Sequence, residues 1–162
     1  MNARDILAYG HQEVLRAFEG LPREHWGRVG VTTRWSLRDL AAHLASYELF
    51  LEDALKSVAG GEPTPTLEAM QRDHAGFNDT QVAARHARTA EEILREYTEA
   101  HLRVMALAER LGPLRLAEAG TIPWYGAQYS LDDLVVYANY AHKREHGAQA
   151  RAFRRRLEGE ER

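Results

Sequence analysis

The sequence contains no cysteine among its 162 residues. This absence excludes disulfide bonds, thiolate nucleophiles and zinc fingers, so any metal must be held by histidine, aspartate or glutamate. No apolar run approaches the roughly 18 residues that a bilayer-spanning helix needs. The first residues also lack the basic and apolar stretches of a signal peptide, so we expect a cytoplasmic protein.

A strong charge of one sign is also lacking. The formal net charge is −3, and lysine occurs only as Lys56 and Lys143. Such a weak charge provides no electrostatic attraction for nucleic acid. The composition, with 44% hydrophobic and 28% charged residues, is typical of a folded protein. We expect one domain over residues 1–162 with no nucleic-acid or membrane partner, and a homodimer is an open alternative to a monomer.

Helix-start motifs recur along the chain, and apolar residues at helical spacing follow each of them. Asn2 can cap a first helix. Ser36, Thr89 and Ser130 each precede an acidic side chain by three residues, as in a capping box. No alternating strand pattern is present. The sequence therefore predicts four long helices, the first three of which should end near Gly20, Gly60 and Gly112.

Two connections are longer than a minimal helical hairpin requires. Residues 62–88 contain a short helix from Leu67 and a second helix start near Asn78 or Asp79. This second helix either ends before the third long helix or continues directly into it. Residues 112–129 are predicted to form a long loop, and loops of that length are often functional. The expected fold is all-α, an antiparallel four-helix bundle with a crossover connection and a short extra helix.

Histidine is abundant, with eight residues. His142 and His146 are four residues apart, which places both rings on one face of a helix. Such a pair can bind one metal, although eight histidines would produce one by chance roughly one time in three. His142 falls within the apolar face of the last helix, with His146 at its edge, and His43 falls within the apolar face of the second helix.

These inward histidines need polar partners, because an unsatisfied polar group in a core costs about 1–3 kcal/mol. A shared metal would satisfy His43, His142 and His146 together, whereas hydrogen-bonded core histidines are the alternative. For His101, which also faces inward, a core position is favoured over a role as fourth ligand. The other histidines considered are expected at surface or partly buried positions: His11, His25, His74 and His86.

Two segments resemble the DinB-like superfamily, whose members are four-helix bundles related to the metal-binding domain of mycothiol-dependent maleylpyruvate isomerase. Residues 35–44 resemble the Trp-Ser-x-x-Asp-x-x-x-His start of its second helix, and residues 137–146 resemble its last helix with His-x-x-x-His. The resemblance covers most of the chain. It implies one divalent metal, commonly nickel or zinc, with ligands that carry over here to His43, His142 and His146.

Three imidazoles leave at least one coordination position open, which is typical of catalytic metal sites. The resemblance implies an enzyme that acts on a small electrophilic molecule, with a low-molecular-weight thiol as co-substrate in a transferase-like reaction. The alternatives are a metal-dependent hydrolase, a protein that sequesters a small molecule without turnover, and a bundle without metal. Glu145 is a candidate general base, with a plain ion pair as its alternative. Tyr125 and Tyr129 are further polar candidates.

Overall fold

The computed structural model describes residues 2–160, and their regular secondary structure is helical. After a 3-10 turn that follows α1, the chain forms two short helices between long ones. The elements are α1 (Ala3–Phe18), the 3-10 turn (Arg23–His25), α2 (Leu37–Ala59), α3 (Pro65–Arg72), α4 (Phe77–Ala83), α5 (Ala90–Leu116), α6 (Leu131–Asp133), a π-helical segment (Leu134–Tyr140) and α7 (Ala141–Glu160). The last three are continuous, and we call residues 131–160 the C-terminal helix.

Side-chain caps begin the four long helices, as the sequence predicts. Asn2, Ser36, Thr89 and Ser130 each accept a hydrogen bond from the backbone N–H three residues later. In each case the side chain of that later residue accepts from the N–H of the cap. These reciprocal bonds satisfy donors that a helix start otherwise leaves free.

Residues 62–88 form the expected crossover connection. The short helix expected from Leu67 is α3, and a second short helix, α4, ends at Ala83 and does not continue into α5. At Gly112 the backbone breaks (φ 76, ψ 164), as predicted, because this left-handed conformation favours glycine. A further helical turn then follows to Leu116, so the predicted 112–129 loop is shorter than expected.

Two apolar clusters fill the bundle, one at each end. The first half of α2 packs with the first half of α5 in one cluster, and their second halves share the other. These two helices therefore run in the same direction, and α1 and the C-terminal helix run opposite to both. The crossover connection makes this arrangement possible, because it returns the chain to the end where α2 began. Among residues 2–160, no helix combines the length and the apolar composition needed to cross a bilayer.

A polar layer lies between the two apolar clusters. Nζ of Lys143 lies 2.7 Å from Oε2 of Glu48, and the two side chains are 1% and 0% exposed. Nδ1 of His101 lies 2.9 Å from Oε1 of the same carboxylate, and the side chain of Asn139 donates to Oε2 at 3.4 Å. Burial alone raises the pKa of Glu48, but Lys143 and His101 outweigh it and lower the pKa to about 2.

His11 extends this layer onto α1. The sequence predicts a surface or partly buried position, but the residue is only 9% exposed. Its ring stacks on that of His101 with centroids 3.9 Å apart and 2° between the planes, and on Tyr97 at 5.2 Å. Burial, followed by the charges of His101 and Lys143, lowers the pKa of His11 to about 4. The imidazole is therefore neutral near pH 7 and packs as an aromatic ring.

We expect Lys143→Met to destabilise the protein by about 3–5 kcal/mol, because the Glu48 carboxylate then remains buried without its cation. The double variant Glu48→Gln with Lys143→Met should recover much of that loss, since no buried charge is left. Urea unfolding at pH 7 measures both. Arg34→Met is the control, because it breaks an ion pair with Asp79 in which both side chains are more than half exposed, and should cost far less. Equal losses in the single and double variants would contradict this account.

Candidate metal centre

The three histidines predicted as ligands come from two helices that run in opposite directions. His43 lies on α2, about two turns after the Ser36 cap, and Trp35, just before that cap, packs against its ring with centroids 4.7 Å apart. His142 and His146 lie one turn apart on α7, and their rings meet edge to face at 4.3 Å. His43 and His146 are 2% and 7% exposed.

The ring nitrogens of these histidines converge. Nε2 of His142 lies 2.7 Å from Nε2 of His43 and 2.9 Å from Nε2 of His146. Among the described residues, these three are the group of histidine, aspartate or glutamate side chains arranged closely enough to hold one metal ion. The same atom of each ring faces the common point, as in a shared coordination site.

Gln149 determines which nitrogen of His146 carries the proton. Nδ1 of His146 lies 2.7 Å from Oε1 of Gln149, and a carboxamide oxygen can only accept. Nδ1 therefore carries the proton, and Nε2 presents its lone pair to His142. The contact between Nε2 of His146 and Nε2 of His142 is then a hydrogen bond only if Nε2 of His142 carries a proton. That single proton cannot bond well to His43 and His146 at the same time. A cation among the three Nε2 lone pairs would remove this conflict.

The surroundings keep these imidazoles neutral, which is the form that binds a metal. Burial, followed by the neighbouring charge of His146, lowers the pKa of His43 to about 3. Burial, then His146, His43 and Lys143, lowers the pKa of His142 to about 2. Burial also lowers the pKa of His146, although its bond to Gln149 opposes the shift. Protons should therefore compete with a metal only at acidic pH.

The set of donors fits a divalent transition metal. Imidazole nitrogen suits zinc, copper, iron and nickel better than calcium or magnesium, which prefer oxygen. Three protein ligands also leave at least one coordination position for a further molecule. The residues that would hold the metal are thus His43, His142 and His146.

The other side chains that the sequence suggested for the site lie outside the histidine cluster. Glu145 is exposed on α7, outside the histidine cluster, and its charge is a minor influence that raises the pKa of His146. Its role as general base stays a prediction. His101 bonds to Glu48 in the polar layer. The ring of Tyr125 packs at a tilt against that of Tyr129, with centroids 5.1 Å apart, and lines a cavity beside the histidine cluster.

Three contributors to the site were not found from the sequence. Gln149 follows His146 by three residues, a spacing that places the two side chains on one helix face. Tyr47 follows His43 by four residues, and its ring packs at 4.7 Å from that of His43 and 4.3 Å from that of His142. The π-helical segment ends just before His142, where the N–H of Ala141 donates to the carbonyl of Val136. Such segments are rare and are frequent at functional sites.

A family model described as the DinB superfamily matches residues 6–150. The chain belongs to the DinB superfamily. No curated protein and no solved structure matches it. The match confirms the family resemblance that residues 35–44 and 137–146 indicate. The DinB region contains all three histidines of the cluster.

We expect the purified DinB protein to contain about one divalent metal ion per chain, since three converging nitrogens form one site. His43→Ala, His142→Ala and His146→Ala should each lose it, because two imidazoles bind too weakly to survive dialysis. Elemental analysis of protein prepared without a metal-affinity tag measures the content. His86→Ala is the matched control, because that histidine is exposed on the surface. Full metal content in the His43 variant would show that α2 contributes no ligand.

Gln149→Leu should weaken metal binding by about 10- to 100-fold, because the hydrogen bond that orients His146 is lost. Competition with a chromogenic chelator measures the affinity, and circular dichroism checks that the helices are intact. Ala148→Leu, an exposed neighbour on the same helix, should leave the affinity unchanged. An unaltered affinity in Gln149→Leu would mean that His146 is oriented without this bond.

Proposed function

We propose that this DinB protein binds one divalent metal ion, nickel or zinc, through His43, His142 and His146 and uses it to activate a small nucleophile. The observation that supports the proposal is the convergence of three neutral Nε2 atoms on one point between α2 and α7. A metal bound there would lower the pKa of a coordinated thiol or water, so that the nucleophile ionises near neutral pH.

A thiol nucleophile would have to come from outside the chain. The sequence has no cysteine, and the chain therefore has no thiol of its own to attack a substrate. We favour a low-molecular-weight thiol, which would make the protein a thiol transferase acting on electrophilic small molecules. With an epoxide, the sulfur–carbon bond forms, the carbon–oxygen bond breaks, and the thiol proton ends on the released oxygen.

The chain's own residues would prepare this reaction. Gln149 keeps the proton of His146 on Nδ1, and burial keeps His43 and His142 unprotonated, so all three rings can bind metal. Tyr47 and Trp35 pack against the ring of His43 and hold its orientation. Glu145 is our candidate for accepting the proton of the incoming thiol or water.

The test is to incubate metal-loaded protein with an uncharged epoxide and a panel of bacterial thiols. We expect metal-dependent turnover with at least one thiol, and His142→Ala should abolish it because a ligand is lost. Glu145→Gln should lower kcat and shift the pH profile if Glu145 is the base. Product formation is followed by mass spectrometry, with His86→Ala as the control that retains activity.

Two alternatives have distinct results in the same assay. Turnover with water alone would replace the transferase by a metal-dependent hydrolase. Tight binding of the electrophile with no turnover for any thiol would replace it by a sequestering protein. Full turnover in protein stripped of metal would contradict the proposal altogether.

A further inference from the structure

A cavity of about 350 Å³ lies beside the metal centre. Its wall combines residues of α2, α3, the loop before the C-terminal helix and the π-helical segment. The apolar part of the lining includes Tyr47, Phe50, Trp124, Tyr125 and Ala138. This volume falls within the range of small-molecule sites in proteins.

The cavity lies beside the candidate metal site, along the two helices that carry the three histidines. On α2, Tyr47 lies one turn after His43, and on the C-terminal helix Ala138 precedes His142 by four residues. Tyr47 belongs to both sites, because its ring lines the cavity and packs against His142 with centroids 4.3 Å apart. A molecule in the cavity would therefore lie next to the histidine cluster.

The wall is aromatic on several sides. Trp124 is 37% exposed and meets Phe50 edge to face at 5.6 Å, while Tyr125 packs against Trp124 at 6.1 Å. Aromatic rings prefer stacked or edge-to-face contacts with other rings, and such pairs stabilise beyond the area they bury. The arrangement leaves ring faces and edges available to a further flat ring.

The lining contains no lysine, arginine, aspartate or glutamate. A charged ligand would lose its hydration there without gaining an ion pair, which is costly. Gln71 and His74 are both exposed and lie at the rim, where they can bond to one polar substituent. The lining therefore suits an uncharged ring system with a hydroxyl or similar group at one edge.

We propose that this cavity binds an uncharged, planar aromatic molecule, and that such molecules are the electrophiles on which the metal centre acts. The second statement rests on the proposed function, whereas the first does not. The cavity is built from residues other than the three histidines, so the aromatic ligand should bind with or without metal.

The binding test uses three probes of similar size and isothermal titration calorimetry. They are 2-naphthol, its saturated analogue decahydro-2-naphthol, and the anion 2-naphthoate. In metal-free protein we expect 2-naphthol to bind saturably and at least about tenfold more tightly than either of the others. No saturable binding of 2-naphthol, or equal affinity for the saturated analogue or the anion, would overturn the proposal.

Two variants locate the binding in the cavity. Ala138→Leu should fill part of the space and Trp124→Ala should remove an aromatic wall, so each should weaken 2-naphthol binding by about tenfold. Ala148→Leu makes the same alanine-to-leucine change at an exposed site on the C-terminal helix and should bind normally. Thermal melts followed by circular dichroism confirm folding. Undiminished binding in both folded cavity variants would place the ligand elsewhere.

The substrate arm compares styrene oxide with 1,2-epoxybutane in metal-loaded protein with one thiol. We expect a higher kcat/KM for the aromatic epoxide, and Ala138→Leu should reduce this preference. A higher kcat/KM for the aliphatic epoxide that Ala138→Leu leaves unchanged would overturn the substrate assignment. The proposed function would remain intact. Binding of 2-naphthol without any metal-dependent turnover would support the cavity and contradict the proposed function.

Discussion

The buried ion pair between Glu48 and Lys143 determines how α2 and α7 are placed, and the candidate metal site depends on that placement. Lys143 directly follows His142, and Glu48 directly follows Tyr47. A buried charge is tolerated only when its partner is close, so the pair restricts rotation and sliding of the two helices. That restriction keeps His43 opposite His142 on the neighbouring helix.

The same constraint organises the rest of the interior. His101, Asn139 and the stacked His11 complete the shell around the Glu48 carboxylate, which links α5, the π-helical segment and α1 to the pair. Buried polar groups that contact one another specify one arrangement of helices more strictly than apolar contacts do. The two apolar clusters supply most of the stabilisation, and the polar layer between them sets the register.

The sequence predicts features that depend on local spacing. Capping boxes at Ser36, Thr89 and Ser130 involve residues three apart, and the structure confirms them. The pair His142 and His146 is likewise set by one helical turn, and His43 is added by its position on the apolar face of α2. The match to the DinB superfamily confirms the family resemblance.

The features that were not predicted from the sequence depend mainly on contacts between residues that are far apart in the chain. A lysine with no visible partner is expected on the surface, so the buried position of Lys143 follows only when α2 brings Glu48 to it. A helical wheel also assumes α-helical geometry, whereas Leu134–Tyr140 is π-helical and shifts the phase of the residues that follow. The aromatic cavity requires the loop with Trp124 to fold back onto α2, a contact that no local pattern encodes.

The central claim is that three imidazoles hold one metal, and X-ray absorption spectroscopy of protein loaded with one equivalent of zinc tests it most directly. We expect three imidazole nitrogens at about 2.0–2.1 Å from the metal, with one or two water oxygens completing the coordination. His142→Ala should fail to retain the zinc after dialysis, so its spectrum should lack the imidazole shell. A first coordination shell made of oxygen ligands, or one imidazole only, would contradict the account.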